Sequence, residues 1–182
     1  RASLRSMATV RVLFVCLGNI CRSPTAEGVM RKLATDAGLA HAFTIDSAGT
    51  AAHHAGELPD PRSRSAASRR GISLTHRARG VVAADFEAFD YLLAMDADNL
   101  DALRRRSPSG GSARICLLRD FDPNALGDAE VPDPYYGGAR GFEDVLDLVE
   151  RACAGLLEQL VATHGLRPGS HDSLEENVSS ST

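Results

Sequence analysis

A short apolar run, Val10 to Val15 with only Arg11 breaking it, leads into Cys16-Leu17-Gly18-Asn19-Ile20-Cys21-Arg22-Ser23 and then Pro24-Thr25-Ala26-Glu27. No other stretch limits the possible folds as much. A nearly continuous apolar run of this length suits a central strand of a parallel sheet, buried on both faces. Pro24 suits the first helical position, because its missing N–H has no intrahelical partner to lose, and Ser23 is placed to cap that helix. Residues 16–23 are therefore a loop between a buried strand and a helix N-terminus. Backbone N–H groups point into such a loop and the helix dipole adds partial positive charge, which makes an anion site. Arg22 adds a planar, always-charged fork able to hold two oxygens of a phosphoryl group. Gly18 lets the backbone approach an oxyanion, and Asn19 tolerates a left-handed conformation. Cys16 sits at the mouth of the same field, which favours the thiolate, the nucleophilic form.

The bare spacing, a cysteine, five residues and Arg-Ser, is a weak signal in an arginine-rich chain with four cysteines. A buried structural cysteine beside a surface arginine would satisfy it equally. The placement between strand and helix is what gives it chemical meaning.

The rest of the chain alternates. Pro24 to Ala37 carries Ala26, Val29, Met30, Leu33 and Ala37 at helical steps, closed by Gly38. Phe43 to Ala48 reads as a second strand, 49–61 as a loop holding His53-His54, and Pro61 to Arg70 as a helix closed by Gly71. After a mixed connection over 72–82 come a strand at Phe89–Met95, a helix at Asp96–Arg106, and a strand at Ala113–Leu118. The helix at Asp96–Arg106 has its acids first and three arginines last, matching its dipole. Arg119 to Arg140 is a long loop, and Phe142 to His164 a long amphipathic helix. Cys116 and Cys153 fall within apolar elements and read as core. The expected fold is α/β: an open four-stranded parallel sheet with helices on both faces and a phosphate-binding loop after the first strand. The expected organisation is one domain over 9–164, a flexible leader at 1–8 and a disordered tail at 165–182.

Ligands of such sheets bind at the carboxyl ends of the strands, so the loops at 16–23, 49–61, after Met95 and at 119–140 gather at one edge. Loops as long as the last are usually functional. It offers Asp120, Asp122, Asp128, Glu130 and Asp133 as proton donors. Asp133 stands out, in Asp133-Pro134-Tyr135-Tyr136-Gly137-Gly138, where a proline stiffens the backbone and two tyrosines can wall an aromatic substrate. A thiolate attacking phosphorus needs such a carboxylic acid to protonate the leaving oxygen and later to activate water.

The totals exclude several classes. A net charge of −4 argues against a general nucleic-acid binder, and no apolar run approaches a membrane span. Four cysteines in 182 residues make no disulfide scaffold, and Cys16 and Cys21 have no second cluster to complete a zinc site. No metal or cofactor is expected, and reduced thiols point to the cytoplasm.

The pairing of 12–24, Val-Leu-Phe-Val-Cys-Leu-Gly-Asn-Ile-Cys-Arg-Ser-Pro, with Asp133-Pro134-Tyr135-Tyr136-Gly137 resembles the low-molecular-weight protein tyrosine phosphatases. Asp46-Ser47-Ala48-Gly49-Thr50 and the segment from Asp90-Tyr91 to Asn99 match too, so the resemblance runs from about Val10 to about Leu160. It implies a metal-independent phosphomonoesterase acting on phosphotyrosine through a phosphocysteine. Cys16 is then the nucleophile and Asp133 the general acid and base. Arg22 and the loop N–H groups of Leu17, Gly18, Asn19, Ile20, Cys21 and Ser23 bind the phosphoryl oxygens, and Ser23 also hydrogen-bonds the sulfur. Ser47 and His76 match residues that brace the loop, although a partly exposed histidine is the plainer account of His76. Tyr135 and Tyr136 flank the substrate ring and in the family can be phosphorylated. Cys21 either traps oxidised Cys16 as a disulfide or is a small loop residue with no redox duty. Ile20 matches members acting on phosphotyrosine, where relatives acting on phosphoarginine carry Thr. His53 stands where the family often has Trp or Tyr, a smaller wall that can charge near neutral pH. Asp96 is either a support behind the site or a helix cap. The implied partner is a phosphotyrosine-containing protein, including a cognate tyrosine kinase, and the assembly a monomer or weak dimer. An arsenate reductase on the same fold, a non-catalytic phosphate-binding module and a phosphatase of small acyl or sugar phosphates are the alternatives.

Overall fold

The computed structural model describes residues 9–127 and 129–169. The expected leader at 1–8, the tail beyond 169 and Asp128 lie outside the described residues.

The first apolar run forms strand β1 (Val10–Cys16), and the next segments form helix α1 (Arg22–Asp36) and strand β2 (Phe43–Gly49). Helices α2 (Pro61–Ser68) and α3 (Asp85–Ala88) precede strand β3 (Tyr91–Ala94). Helix α4 (Ala97–Arg106), strand β4 (Arg114–Leu117) and helix α5 (Ala139–His164) complete the set, with 3-10 turns at Ala40–Ala42 and Leu118–Phe121. The four strands are all parallel, in the order β2-β1-β3-β4. The long loop is shorter than expected at its far end, because α5 begins at Ala139 rather than Phe142.

Alternation along β1 explains its continuous apolar character. Val10, Val12, Phe14 and Cys16 belong to one buried layer with α1 and α5, while Leu13 and Val15 join Leu92, Leu100, Leu103 and Leu117 under α4. Arg11, the one charged residue of the strand, lies near its start and pairs with Asp90 at 2.9 Å. Cys116 and Cys153 are buried in the first layer. Burial pushes the Cys116 thiol up to about 11 and the Cys153 thiol further in the same direction.

Strand order reverses between β1 and β3, and the crevice at their carboxyl ends is where α/β sheets of this kind bind ligands. Cys16 ends β1 and Asp96 follows β3 at that crevice. Asp96 caps α4 by accepting from the Asn99 backbone N–H at 2.8 Å. Past α5, Leu166 packs against the core and the Gly169 N–H bonds the Gly38 carbonyl at 3.0 Å. No helix among the described residues is long and apolar enough to cross a membrane.

One close approach fixes α5 beneath the turn that opens the long loop. A Cβ at Gly155 would collide with the carbonyl oxygen of Phe121. Gly155→Ala gains roughly 1 kcal/mol of helix propensity but forces backbone apart, which costs about 1–3 kcal/mol or more. We expect a lowered thermal midpoint, read by calorimetry; an unchanged or raised midpoint would contradict the packing described.

Candidate active site

Between the end of β1 and the start of α1 the chain turns back through Asn19, whose φ is 56°. Among the described residues it is the one non-glycine in the left-handed region. That conformation costs an ordinary residue about 1–2 kcal/mol. Here the buried amide is held from every side. Its Nδ2 donates to Ser23 Oγ at 2.8 Å and Ser47 Oγ at 2.9 Å. Its Oδ1 accepts from His76 Nε2 at 2.9 Å and from the Arg79 backbone N–H at 3.0 Å. Behind it, Ser47 donates to Glu27 Oε1 at 2.8 Å, and His76 Nδ1 lies 3.2 Å from that oxygen and 3.3 Å from Asp46 Oδ1. Among the described residues, Glu27, Asp46 and His76 are the one group with the donor set for a metal ion, but Ser47 and Arg79 already partner their oxygens.

Cys16 lies at the centre of this loop. Its Sγ is 3.0 Å from Ser23 Oγ and accepts from the Asn19 backbone N–H at 3.3 Å. Ser23 Oγ, accepting from Asn19, has the sulfur at 3.0 Å and the Ala48 carbonyl at 3.5 Å as acceptors for its own proton. The expectation that Ser23 caps the helix is therefore overturned: α1 starts two residues earlier than expected, at Arg22, and Cys21 holds the cap position without a side-chain cap bond. Cys21 is buried beside the loop, and desolvation pushes its thiol up to about 12.

Arg22 is 3 % exposed, which is rare for a charge and requires partners. Nη1 donates to Asp96 Oδ2 at 2.6 Å and to the Val131 carbonyl at 3.2 Å, and Nη2 faces Asp133 Oδ2 at 3.7 Å. Burial alone would lower its pKa, but the Cys16 sulfur, Asp96 and Asp133 together hold the guanidinium above its ordinary range. Asp96 therefore fills both of the roles that the sequence left open. Asp133, across the cleft, keeps a side chain 41 % exposed and accepts from the Tyr135 backbone N–H at 3.1 Å.

These groups line one cleft of about 190 Å³. Cys16, Gly18, Ile20, Arg22, Asp133, Tyr135 and Tyr136 all line it, the two tyrosine rings edge to face at 4.9 Å between centroids. His53 lines the same cleft, together with His54, to which the sequence assigned no role. His54 pairs with Glu57 at 2.7 Å, and a Cβ on Gly18 would approach its ring to 3.1 Å. The spacing of His54 and Glu57, three apart in a Gly/Pro loop, was the available signal. Arg62 was also missed. It pairs with Asp60 at 2.8 Å and lies over the Tyr135 and Phe142 rings at 5.5 and 4.6 Å. The Val131 carbonyl on Arg22 had no sequence signal, since every residue carries one.

A parallel-sheet crevice that presents a thiol, a buried guanidinium and a facing carboxyl is the equipment of a phosphoric monoester hydrolase. Comparison with known proteins narrows the class. Residues 11–165 match the family model described as low molecular weight phosphotyrosine protein phosphatase. The chain is 50 % identical over 151 residues to the low molecular weight protein-tyrosine-phosphatase of Streptomyces coelicolor, covering 82 % of this chain and 92 % of that one. It is 44 % identical to the human low molecular weight phosphotyrosine protein phosphatase over 158 residues, 86 % of this chain and 99 % of the relative. Among solved structures, the protein tyrosine phosphatase of Entamoeba histolytica with Hepes in its active site superposes with a TM-score of 0.82 at 43 % identity, over 85 % of this chain and 99 % of that one. The chain belongs to the low molecular weight phosphotyrosine protein phosphatase family.

Proposed function

We propose that this phosphatase hydrolyses phosphotyrosine, and aryl phosphates generally, through a phosphocysteine on Cys16. The Cys16 thiolate attacks phosphorus, the bond from phosphorus to the tyrosyl oxygen breaks, and Asp133 gives its proton to the departing phenoxide. Asp133, now a carboxylate, takes a proton from water as that water attacks the phosphocysteine. The S–P bond breaks and phosphate leaves the regenerated thiolate. Arg22 and the N–H groups from Leu17 to Ser23 hold the equatorial oxygens, where charge concentrates in the transition state. Ser23 stabilises the sulfur as attacker and as leaving group, and Asn19, with Ser47 and His76 behind it, keeps the loop in shape. Tyr135, Tyr136 and His53 flank the substrate ring. The observation that carries the reading is Asp133 standing over the same cleft as Cys16, 3.7 Å from the arginine that faces the phosphoryl group.

Ile20, with its aliphatic surface in the cleft, favours phosphotyrosine over phosphoarginine, since a methyl excludes a polar guanidino group that a hydroxyl could receive. The substrate we infer is a phosphotyrosine-containing protein, including a cognate kinase, in the cytoplasm, where the four free thiols stay reduced.

Acid quenching during turnover of a labelled aryl phosphate tests this directly. We expect label on the peptide containing Cys16 by mass spectrometry, and turnover that persists in excess chelator. Label on any other side chain, or activity abolished by the chelator, would overturn the mechanism.

A further inference from the structure

The loop that carries Asp133 has its two ends tied together by one side chain. We propose that Arg119 is a positioning residue for Asp133, bracing the loop over 122–130 so that the carboxyl stands on the leaving-group side of the cleft. The inference rests on the reading of Asp133 as the general acid.

Asp133 makes few contacts of its own. Its side chain is well exposed, its Tyr135 bond lies within its own turn, and its distance to Arg22 exceeds a hydrogen bond. Its position is therefore inherited from the backbone behind it. That backbone is pinned at Val131, whose N–H bonds the Met95 carbonyl at 2.8 Å and whose carbonyl accepts from Arg22. Pro132 and Pro134 then restrict the chain on both sides of the acid. One residue before Val131, the Glu130 carbonyl accepts from Arg119 Nη1 at 2.9 Å. The other arm of the same guanidinium, Nε, donates to Asp122 Oδ2 at 3.1 Å.

Asp122 is a firm anchor. Its carboxylate is completely buried, and it also accepts from the Asn124 N–H at 2.9 Å and from Arg151 of α5 at 3.0 Å. Arg119 thus spans from a buried anchor at the start of the loop to the carbonyl next to the pin at its end. Among the described residues of the segment it closes off, Pro123, Asn124 and Gly127 are exposed and Leu126 is 91 % exposed. Behind the acid lies an open cavity of about 540 Å³ that Arg119, Glu130 and Asp133 all line. Without the brace, the loop has room to settle into it. Lysine cannot substitute for a fork that reaches a carboxylate and a carbonyl at once.

The test is the dependence of kcat/KM on the leaving group. Misplacing a general acid by about 1 Å costs up to about 100-fold, most where the leaving oxygen is basic. For Arg119→Met we expect a loss of about tenfold with phenyl phosphate and no more than about twofold with p-nitrophenyl phosphate. Competitive inhibition by inorganic phosphate should be unchanged. Arg119→Lys, which keeps a cation beside Asp122 and so protects the fold, should show the same leaving-group signature and carries the test if Arg119→Met does not fold. In an Asp133→Asn background, Arg119→Met should add no further leaving-group dependence. Equal losses for both substrates, weakened phosphate inhibition, or wild-type kinetics in the Lys variant would overturn the brace while leaving Asp133 in its role. A flat leaving-group response in Asp133→Asn alone would instead overturn the acid assignment, and this inference with it.

Discussion

Cys16→Ser is expected to turn over an aryl phosphate slower than the parent by roughly 10⁴-fold or more, while binding inorganic phosphate almost as well. The substitution is nearly isosteric and leaves the loop's donors in place. Arg22 keeps Asp96 and the Val131 carbonyl, and Asn19 keeps its four partners. What is lost is the sulfur nucleophile itself. A serine hydroxyl needs a general base to attack, and the groups around the sulfur, the Ser23 hydroxyl and the Asn19 N–H, include no such base. Steady-state kinetics against calorimetric titration with phosphate separates the two effects. Retained activity would end the phosphocysteine reading, and lost phosphate binding would show that the sulfur holds the loop together.

Arg22→Lys should give the second-largest loss, about 10²–10³-fold in kcat, and unlike Cys16→Ser it should also weaken phosphate inhibition. A lysine keeps a positive charge but offers a point where the site needs a plane. Arg22 serves the Val131 carbonyl, the Asp96 carboxylate and the open cleft with one rigid group. An ammonium that satisfies Asp96 abandons either the buried carbonyl or the substrate. Leaving that carbonyl unpaired costs about 1–3 kcal/mol, so a lower unfolding midpoint should accompany the kinetic loss. Wild-type phosphate affinity in this variant would mean that backbone N–H groups alone hold the anion.

The legible parts of the molecule were those in which one contiguous stretch carries both the structure and the chemistry. Residues 10–24 announce a strand, an anion loop and a helix together, because each imposes its own local pattern. Among the acids of the long loop, prolines and tyrosines mark out Asp133, which lines the cleft with Cys16. Short elements were less legible: α3 has four residues, too few for a period, and α5 starts in Ala139-Arg140-Gly141, which has no apolar stripe. Ser23 was misassigned as a cap because a hydroxyl beside a proline looks the same whether it serves a helix or a sulfur. The Val131 carbonyl, the Arg119 span and the Arg62 stacking depend on where distant backbone passes, and residue identity does not record that.

The Asn19 clamp also bears on how the enzyme comes into being. Its partners are Ser47, 28 residues away, His76 at 57 and the Arg79 amide at 60, while Arg22 reaches Val131 across 109. Contacts of such long sequence separation form late in folding, since each must first overcome the entropy of a closing loop. Until they are made, the left-handed turn that presents the sulfur has only the local bonds of Asn19 to Ser23 and Cys16. A nascent or partly folded chain therefore carries Cys16 without the loop that aims it, and catalytic competence arrives with the last tertiary contacts, so that recovered activity reports completed folding.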